Sequence, residues 1–446
     1  MEPKGTVIPN KIEDYRLLLD QVNLDYGGIS QGFSEGYYKT DFMTDDFIIT
    51  DISASRMLQE KLEMFTWNDN IYNNDREDPD WQRLYSQIYV TNIVLEEIME
   101  TSGDADVKAQ LVGEAKVHRA LAYFALANMH GLHYNPATAA NNLAVPLRLG
   151  TDLENVDLSR ASVQEIYALI IADIESAIED LPETPKDNSF KHRPSKISAY
   201  TLLARIYLYM TEYEKSRDAA NSALAINSTL KDYNLFTERS FFGNVIVYDL
   251  NRGYDDDEII WLKASGNRFT TLIASNELYD LFEPNDLRSS RFGPTFDLTF
   301  IPDFESYALG AYLINGYKGS GFTVPEILLM RAECNVRLGQ TSLAVNDLNT
   351  LREKRFATDA YTPITSTAQN EVLELVKRER RMELAGNGLR FFDIKRYNEF
   401  DNANITLTRT LNGKNFTLAP GSNNWAIPIG QKYILQNPEM GQNIRD

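Results

Sequence analysis

Apolar positions recur most regularly over residues 323–355, where their spacing predicts two antiparallel helices joined by a tight turn. The first helix is expected to begin at a capping box formed by Thr323 and Glu326. Gly339 is expected to end this helix in the left-handed conformation, and Thr341 to cap the second helix. Such a pair cannot bury its own apolar face, so the pattern predicts a scaffold of several stacked pairs.

Helical periodicity recurs on both sides of this pair. A diverged copy of the pair spans residues 195–225 and turns at Thr211, which indicates an internal repeat. Further helices are predicted at residues 11–22, 53–64, 81–99, 107–130, after Ser162, at 275–282 and at 369–386, with a charged run continuing to 396. We therefore expect a mainly all-α protein, a superhelix of tetratricopeptide-like helical pairs whose scaffold comprises residues 11–22, 81–227 and 323–396.

Two segments lack sustained helical periodicity, and we interpret them as the loop-rich ligand face. They cover residues 23–80 and 231–321, and the second is a long insertion with a strand predicted at Glu258–Ser265. Long insertions rich in aromatic residues commonly carry function. In the C-terminal tail, 397–446, the apolar piece Trp425–Ile429 is expected to be strand-like. We expect the whole chain to form one unit.

The charge balance and the single cysteine restrict the classes of partner and chemistry. Forty-four Lys and Arg residues against 64 Asp and Glu residues give a net charge of -20, which argues against nucleic acid and anionic membrane surfaces as partners. Cys334 lies in an apolar helix, and we interpret it as a buried structural thiol. No apolar run approaches the roughly 20 residues needed to cross a bilayer.

The start of the chain bears on its location. It begins without a signal peptide. The sequence therefore predicts either an intracellular protein or one from which a targeting segment has been removed.

Enzymatic and metal-dependent chemistry finds little support in the motifs. His130 and His133 have a spacing that suits a metal, but they lack the glutamate of a metalloprotease motif and lie where a helix should end, so we interpret them as capping or packing residues. Neither a G-x-S-x-G elbow nor a P-loop is present. The acidic runs Asp45-Asp46 and Asp255-Asp256-Asp257 lack EF-hand spacing and suit solvated turns better than calcium sites. We expect no catalysis, no cofactor and no metal.

Several aromatic and charged residues are expected to be structural. Trp261 lies in a strand-like segment and is predicted to be buried, as are Trp81 and Trp425. The arginine-rich helix at 377–381 is interpreted as an ion-pair network, formed with the acidic residues Glu379, Glu383 and Asp393. By contrast, the segment Phe65–Asp75 has the most binding-like composition, because an indole and a phenol lie among four asparagines and two aspartates in a predicted loop.

An ordered set of motifs along the whole chain resembles the SusD/RagB family of outer-membrane nutrient-binding lipoproteins. The motifs are Asp14-Tyr15 with Leu17–Leu19, Trp81–Asn92, Gly113-Glu114-Ala115 with Arg119–Phe124, Ala199–Tyr207, Asn276–Arg288, Arg331-Ala332-Glu333, Glu379-Arg380-Arg381 with Glu383-Leu384, Arg390-Phe391-Phe392-Asp393 with Arg396, Ile427-Pro428-Ile429, Asn437-Pro438 and Gln442-Asn443. Each motif is weak by itself, but the ordered set is specific. Gly386-Asn387 departs from the family's aromatic-acidic pair and is expected to alter one turn only.

The resemblance implies a non-catalytic protein that captures an oligosaccharide or polysaccharide at the cell surface and delivers it to a SusC-like TonB-dependent outer-membrane transporter. It also implies a lipid anchor at an N-terminal cysteine, which this chain lacks, so anchoring assumes that an upstream segment was removed. Sugar rings stack on aromatic rings, and amide and guanidinium groups bind their hydroxyls. On this basis the predicted ligand-binding residues are Trp67, Asn68, Asn70, Tyr72, Arg268, Phe269, Tyr307 and Tyr312.

Four alternatives remain open from the sequence. Trp67 suits packing of its loop onto the helices as well as it suits sugar stacking. The ligand of a family member can also be a peptide or glycopeptide, which predicts a groove with backbone-pairing groups instead of stacked rings. A structural lid or protein-interaction scaffold has no direct ligand, and a glycoside hydrolase would need two facing carboxylates that sequence does not place.

Overall fold

The computed structural model describes residues 9–21, 32–33, 39–55, 57–154, 156–236, 238–241, 245–248, 254–265, 273–294, 307–309, 313–314, 317–319 and 321–446. Helices dominate the described chain, and they are α1 Ile12–Leu19, α2 Asp51–Ala54, α3 Gln59–Phe65, α4 Pro79–Glu97, α5 Ala105–His130, α6 Val163–Ala177, α7 Lys196–Tyr209, α8 Tyr213–Ile226, α9 Asn276–Tyr279, α10 Val324–Arg337, α11 Thr341–Glu353, α12 Gln369–Glu383, α13 Arg390–Phe400 and α14 Gln431–Gln436. The expectation of a mainly helical protein is confirmed.

Side-chain caps fix where several of these helices begin. Ser162 and Glu165 form a capping box at the start of α6, in which the serine hydroxyl accepts from the Glu165 amide and the glutamate accepts from the Ser162 amide. Asp78 caps α4 directly before Pro79, a residue tolerated in a first turn because it has no amide to satisfy. The long helices therefore begin where local chemistry favours it.

The helices pack as successive antiparallel neighbours. Contacts join α4 to α5, α5 to α6, α7 to α8 and α10 to α11, and α10 also packs on both α8 and α12. Because α8 and α10 are neighbours in space, the intervening insertion leaves the helical stack and returns to it. Gly339 takes φ +77° between α10 and α11, as predicted, and Thr211 takes φ 63° between α7 and α8.

Short strands occur mainly in the insertion and at the tail. They are β1 Phe47–Ile48, β2 Leu143–Pro146, β3 Arg160–Ser162, β4 Glu238–Phe241, β5 Val245–Tyr248, β6 Ile259–Trp261, β7 Ala264–Ser265, β8 Ile273–Ala274, β9 Phe292–Pro294, β10 Tyr307–Leu309, β11 Leu313–Ile314, β12 Tyr317–Gly319, β13 Phe322–Thr323, β14 Leu407–Leu411 and β15 Lys414–Leu418. A four-stranded sheet has the order β1-β8-β10-β9, a three-stranded sheet has the order β11-β12-β7, and the remaining strands pair two by two.

The start of α10 differs from its prediction. The Thr323 side chain makes no capping bond, because its residue pairs with Ile259 in the β6–β13 ladder. Glu326 instead binds Arg205 through both carboxylate oxygens, at 2.7 and 2.6 Å. The next helix, α11, begins at Thr341 itself with Gln340 before it, so Thr341 is not the cap. An ion pair between α7 and α10 thus replaces the expected capping box.

Two further local predictions were wrong. The single helix expected over residues 53–64 is divided into α2 and α3, because Ser53 bonds back to Thr50 in a short capped turn. The apolar piece Trp425–Ile429 forms no strand, since the Ile427 amide donates to Met129 at the end of α5. The hairpin β14–β15 in the tail was not predicted.

The expected structural residues lie in the core. Trp81, Trp261 and Trp425 are buried, and the Trp261 indole donates to the His192 carbonyl at 2.9 Å. Cys334 is buried as well, and burial raises the pKa of its thiol to about 12. These predictions are confirmed.

The histidine pair is also packed in the core. Ring nitrogens of His130 and His133 lie 3.0 and 2.9 Å from the carbonyls of Ile427 and Tyr209. Burial lowers the pKa of both imidazoles to about 3, so both are neutral at pH 7. The packing interpretation of this pair is confirmed.

Candidate functional site

The two segments predicted to form the ligand face meet in one sheet. Strand β1 comes from the first segment, and Phe47 lies opposite Ala274 of β8 in the insertion. Tyr307 of β10 lies opposite Ala274 on the other side of β8. The fold therefore joins residues far apart in sequence at the edge of the helical scaffold.

A cleft of about 550 Å³ opens beside this sheet. The cleft is lined by Asp45, Phe47, Ile48, Ile49, Phe65, Ser275, Asn276, Glu277 and residues 405–410. Strand β14 forms one wall, and its residues alternate so that Thr408 and Thr410 are exposed while Leu407, Arg409 and Leu411 are buried. Apolar surface and hydroxyl or amide groups are therefore available in one concave site, a combination typical of small-molecule binding clefts.

Arginines from the scaffold neutralise the acidic residues at the base of the cleft. Asp45 accepts from Arg390 at 2.9 and 2.7 Å and lies 3.2 Å from Arg381. Burial acts to raise the pKa of this carboxyl, but the two guanidinium groups outweigh burial and lower the pKa to about 2. Asp46 accepts from Arg381 at 2.7 Å, and burial raises its pKa. The Asp45-Asp46 run is thus neither a solvated turn nor free to bind calcium.

Arg409 fastens the first segment to strand β14. Its guanidinium donates to the carbonyls of Phe47, at 3.0 Å, and Thr44. The same group stacks over Phe65, 3.8 Å from the ring centroid, and lies 5.1 Å from the Trp67 ring. Burial lowers the pKa of Arg409 to about 9, with Asp45 opposing the shift, so the side chain is charged at neutral pH. A buried cation therefore lies in the wall of the cleft.

Trp67 and Tyr72, the two aromatic candidates of the first segment, are buried. Each side chain is only 3% exposed, and the Trp67 indole donates to the Met43 carbonyl at 3.1 Å. Trp67 also takes φ 53°, which is uncommon for a bulky residue. In this conformation neither ring offers a face to a ligand, which favours the packing interpretation. Sugar stacking by these two residues stays a prediction.

The remaining candidates are divided between the loop surface and the insertion. Asn68 and Asn70 are exposed, and the Asn68 amide oxygen accepts from the Asn70 backbone at 3.0 Å. Tyr307 begins β10, which is part of the sheet beside the cleft. The other three, Arg268, Phe269 and Tyr312, lie outside the described residues.

Sequence reasoning missed the second wall of the cleft. The tail contains LTRTLNGKNFTL, in which alternating residues flank Asn412-Gly413. An Asn-Gly pair between alternating segments is a strong hairpin signal, and both residues take positive φ here, 49° and 72°. This signal would have placed β14 and β15, and with them the inward position of Arg409.

Other kinds of site find no support in the described chain. Within it, no group of histidine, cysteine, aspartate or glutamate side chains could hold a metal ion. None of the helices described is both long and apolar enough to cross a membrane.

Comparisons with known proteins agree with the fold. A family model described as starch-binding associating with outer membrane matches residues 8–208, and the SusD family model matches residues 324–445. A SusD-like protein of Formosa agariphila is 24% identical over 425 residues, which cover 82% of this chain and 79% of the relative.

Solved structures are similar over nearly the whole chain. A SusD superfamily protein from Bacteroides thetaiotaomicron has a TM-score of 0.76 at 21% identity, covering 98% of this chain and 100% of its own. A SusD-like carbohydrate binding protein from Bacteroides vulgatus has a TM-score of 0.67 at 20% identity, covering 97% and 98%. These likenesses show a shared fold. Because the two family models match both ends of the helical scaffold, the chain belongs to the SusD/RagB family.

Proposed function

We propose that this protein is a non-catalytic binding protein that captures an oligosaccharide or polysaccharide in the cleft beside β1, β8 and β14. Membership of a family with a starch-binding description supports a carbohydrate ligand. The observation that carries the location is the cleft itself, where the first segment, the insertion and the tail hairpin meet. A carbohydrate needs apolar surface for its C–H faces and polar groups for its hydroxyls, and this cleft has both.

Individual residues have separate roles in this proposal. Ile48 is 38% exposed and offers apolar surface to a sugar ring. Asn276 and Thr408 are exposed at the cleft and can bind hydroxyl groups. Trp67 and Tyr72 are buried, and they hold the first segment, residues 23–80, against the hydrophobic core.

The remaining predicted residues extend this surface. Asn68 and Asn70 are exposed on the first segment and are proposed to contact a longer chain. Tyr307 lies on the sheet beside the cleft, and we retain Arg268, Phe269 and Tyr312 as candidates in the insertion.

Delivery to a SusC-like TonB-dependent transporter, and a lipid anchor at the outer-membrane surface, complete the proposal. Support for outer-membrane association comes from the family description. Co-purification of the protein with a TonB-dependent transporter from an outer-membrane fraction of its source would test this part.

Calorimetry and affinity electrophoresis against a panel of plant, host and microbial polysaccharides test the capture of a glycan. The double variant Asn276→Ala/Thr408→Ala is expected to weaken binding of the recognised glycan roughly 10-fold, because two hydroxyl-binding groups are lost. Asn346→Ala, an exposed asparagine on α11, is the matched control and should bind normally. No binding to any glycan, or an unchanged double variant, would contradict the proposal.

A further inference from the structure

The buried arginines of this protein share one property, with a single exception in the described chain. Each of the others has a carboxylate within ion-pair distance. The pairs are Arg83 with Asp80, Arg119 with Asp173, Arg205 with Glu326, Arg288 with Asp286, Arg352 with Glu379, Arg355 with Glu258, Arg380 with Asp393 and Arg396 with Glu333. Arg409 is the exception, since no carboxylate of a described residue lies within 4.0 Å of its guanidinium.

Burial of an unpaired cation is energetically unfavourable, so its persistence calls for an explanation. Arg409 is 8% exposed, and its Nε–H has no hydrogen-bond acceptor among the described residues. Backbone carbonyls and aromatic rings satisfy part of the guanidinium, but they do not neutralise its charge.

The carboxylates closest to the cleft do not fill this role. Asp45 is already held by Arg390 and Arg381. Glu277 is exposed at the rim, with its side chain 75% accessible, and it lies 3.8 Å from Arg381. Among the described residues that line the cleft, Arg409 is the one cationic residue.

We propose that the cleft takes an anionic glycan, and that Arg409 recognises a carboxylate or sulfate substituent on it. This inference rests on the proposed function and adds the substrate class. Because the net charge of -20 disfavours polyanions in general, the attraction has to come from a local contact between Arg409 and the charged substituent. An arginine presents its N–H groups in a planar fork that suits such oxyanions, and a site shielded from water strengthens the attraction. The exposed side chain of Ile48 then contacts the sugar ring that carries the charge.

Matched glycans that differ only in charge test the inference. Polygalacturonate and its methyl ester share one backbone, as do a sulfated galactan and its desulfated form, so the two pairs separate carboxylate from sulfate. Binding is measured by calorimetry for the wild type, Arg409→Met and Arg409→Lys. Arg331→Met serves as the control, because it removes a partly exposed, Asp347-paired arginine on α10.

We expect the wild type to bind the charged member of at least one pair roughly 10- to 100-fold more tightly than its neutral partner. Arg409→Met should abolish this preference, Arg409→Lys should restore it in part, and Arg331→Met should leave it unchanged. Added NaCl should weaken the wild-type preference. Circular dichroism and thermal melting confirm that each variant is folded.

Two results separate failure of this inference from failure of the proposed function. Equal binding of charged and neutral members would overturn the anionic substrate class. A preference that survives Arg409→Met would overturn the role of Arg409, and either result would leave glycan capture standing. Absence of binding to these four glycans and to the wider panel would overturn both.

Discussion

In the helical scaffold, Arg205 of α7 has both carboxylate oxygens of Glu326 within 2.7 Å, whereas Arg409 at the cleft contacts only carbonyls and aromatic rings. Both side chains are buried. Neighbouring carboxylates raise the pKa of the scaffold arginines Arg355 and Arg380 despite burial, whereas burial lowers the pKa of Arg409. The buried arginines of the scaffold thus have carboxylate partners, while Arg409 has none within 4.0 Å in the described chain.

Buried arginines have different surroundings in the scaffold, where they join helices, and at the cleft. Ion pairs link helices that are distant in sequence, such as α7 with α10, and so fix how the helical pairs stack. At the cleft, Arg409 is held in place by backbone carbonyls and aromatic rings, and Asp45 acts on it only from beyond ion-pair distance. Unmatched buried charge is unfavourable for stability alone, which is why such sites are candidates for binding.

The largest expected effect is on the scaffold. Glu326→Met removes the carboxylate that binds the buried Arg205 and lies 3.9 Å from Arg380, and we expect a loss of about 3–5 kcal/mol in the free energy of unfolding. Urea denaturation followed by circular dichroism measures this loss. The double variant Arg205→Met/Glu326→Met should recover most of it, since an apolar pair of similar size replaces the ions. A double variant as unstable as Glu326→Met would show that the pairing is not what matters.

The contact of Asp45 with Arg390 and Arg381 is expected to have an intermediate effect on the free energy of unfolding, and this effect depends on pH. The folded-state pKa of Asp45 is lowered from 3.8 to about 2. A depressed carboxyl pKa contributes stability that is fully present above the unfolded value and is lost as pH falls through the folded value. We therefore expect the wild type to lose up to about 2 kcal/mol from this residue between pH 4 and 2.

Asp46 has the opposite effect on the pH dependence of stability, because burial raises its pKa. Comparison of the wild type with Asp45→Asn therefore isolates the contribution of Asp45. Denaturation at a series of pH values should show a smaller difference between wild type and Asp45→Asn at pH 2 than at pH 6. An equal difference at both pH values would contradict the account of Asp45.

The smallest expected effect on stability is at the cleft. Arg409→Met removes two carbonyl contacts but also an unpaired buried charge, and the methionine chain can still pack on Phe65. We expect a loss of about 1 kcal/mol, well below that of Glu326→Met. The same denaturation assay measures it. A loss as large as 3–5 kcal/mol would mean that Arg409 is a structural residue like Arg205.

The sequence predicted the scaffold better than the site, for physical reasons. Helical periodicity and the Gly339 turn are local signals, so α10, α11 and their repeat were predictable. The Arg205–Glu326 pair was not, because it joins residues 121 positions apart. It converted an expected capping box into an interhelical contact.

Composition singled out two of the segments that line the cleft but not the orientation of their side chains. Trp67 lies in a loop rich in asparagine, as binding residues often do, yet its ring is packed under that loop. The sequence alone did not identify Arg409, because a lone arginine in a polar tail carries no signal before the hairpin is known to place it inward. The long-range pairing of β1 with β8 brings the other parts of the cleft together, and no local pattern encodes that pairing.

Hydrogen–deuterium exchange with and without the tightest-binding charged glycan shows where on the protein the ligand lies. We expect slower exchange at residues 47–49, 275–277 and 406–410, which line the cleft on three separate segments. Exchange in α7, α10 and α11 of the scaffold should not change. Protection confined to the scaffold helices, or absent from all three cleft segments, would contradict the assignment of this cleft as the ligand site.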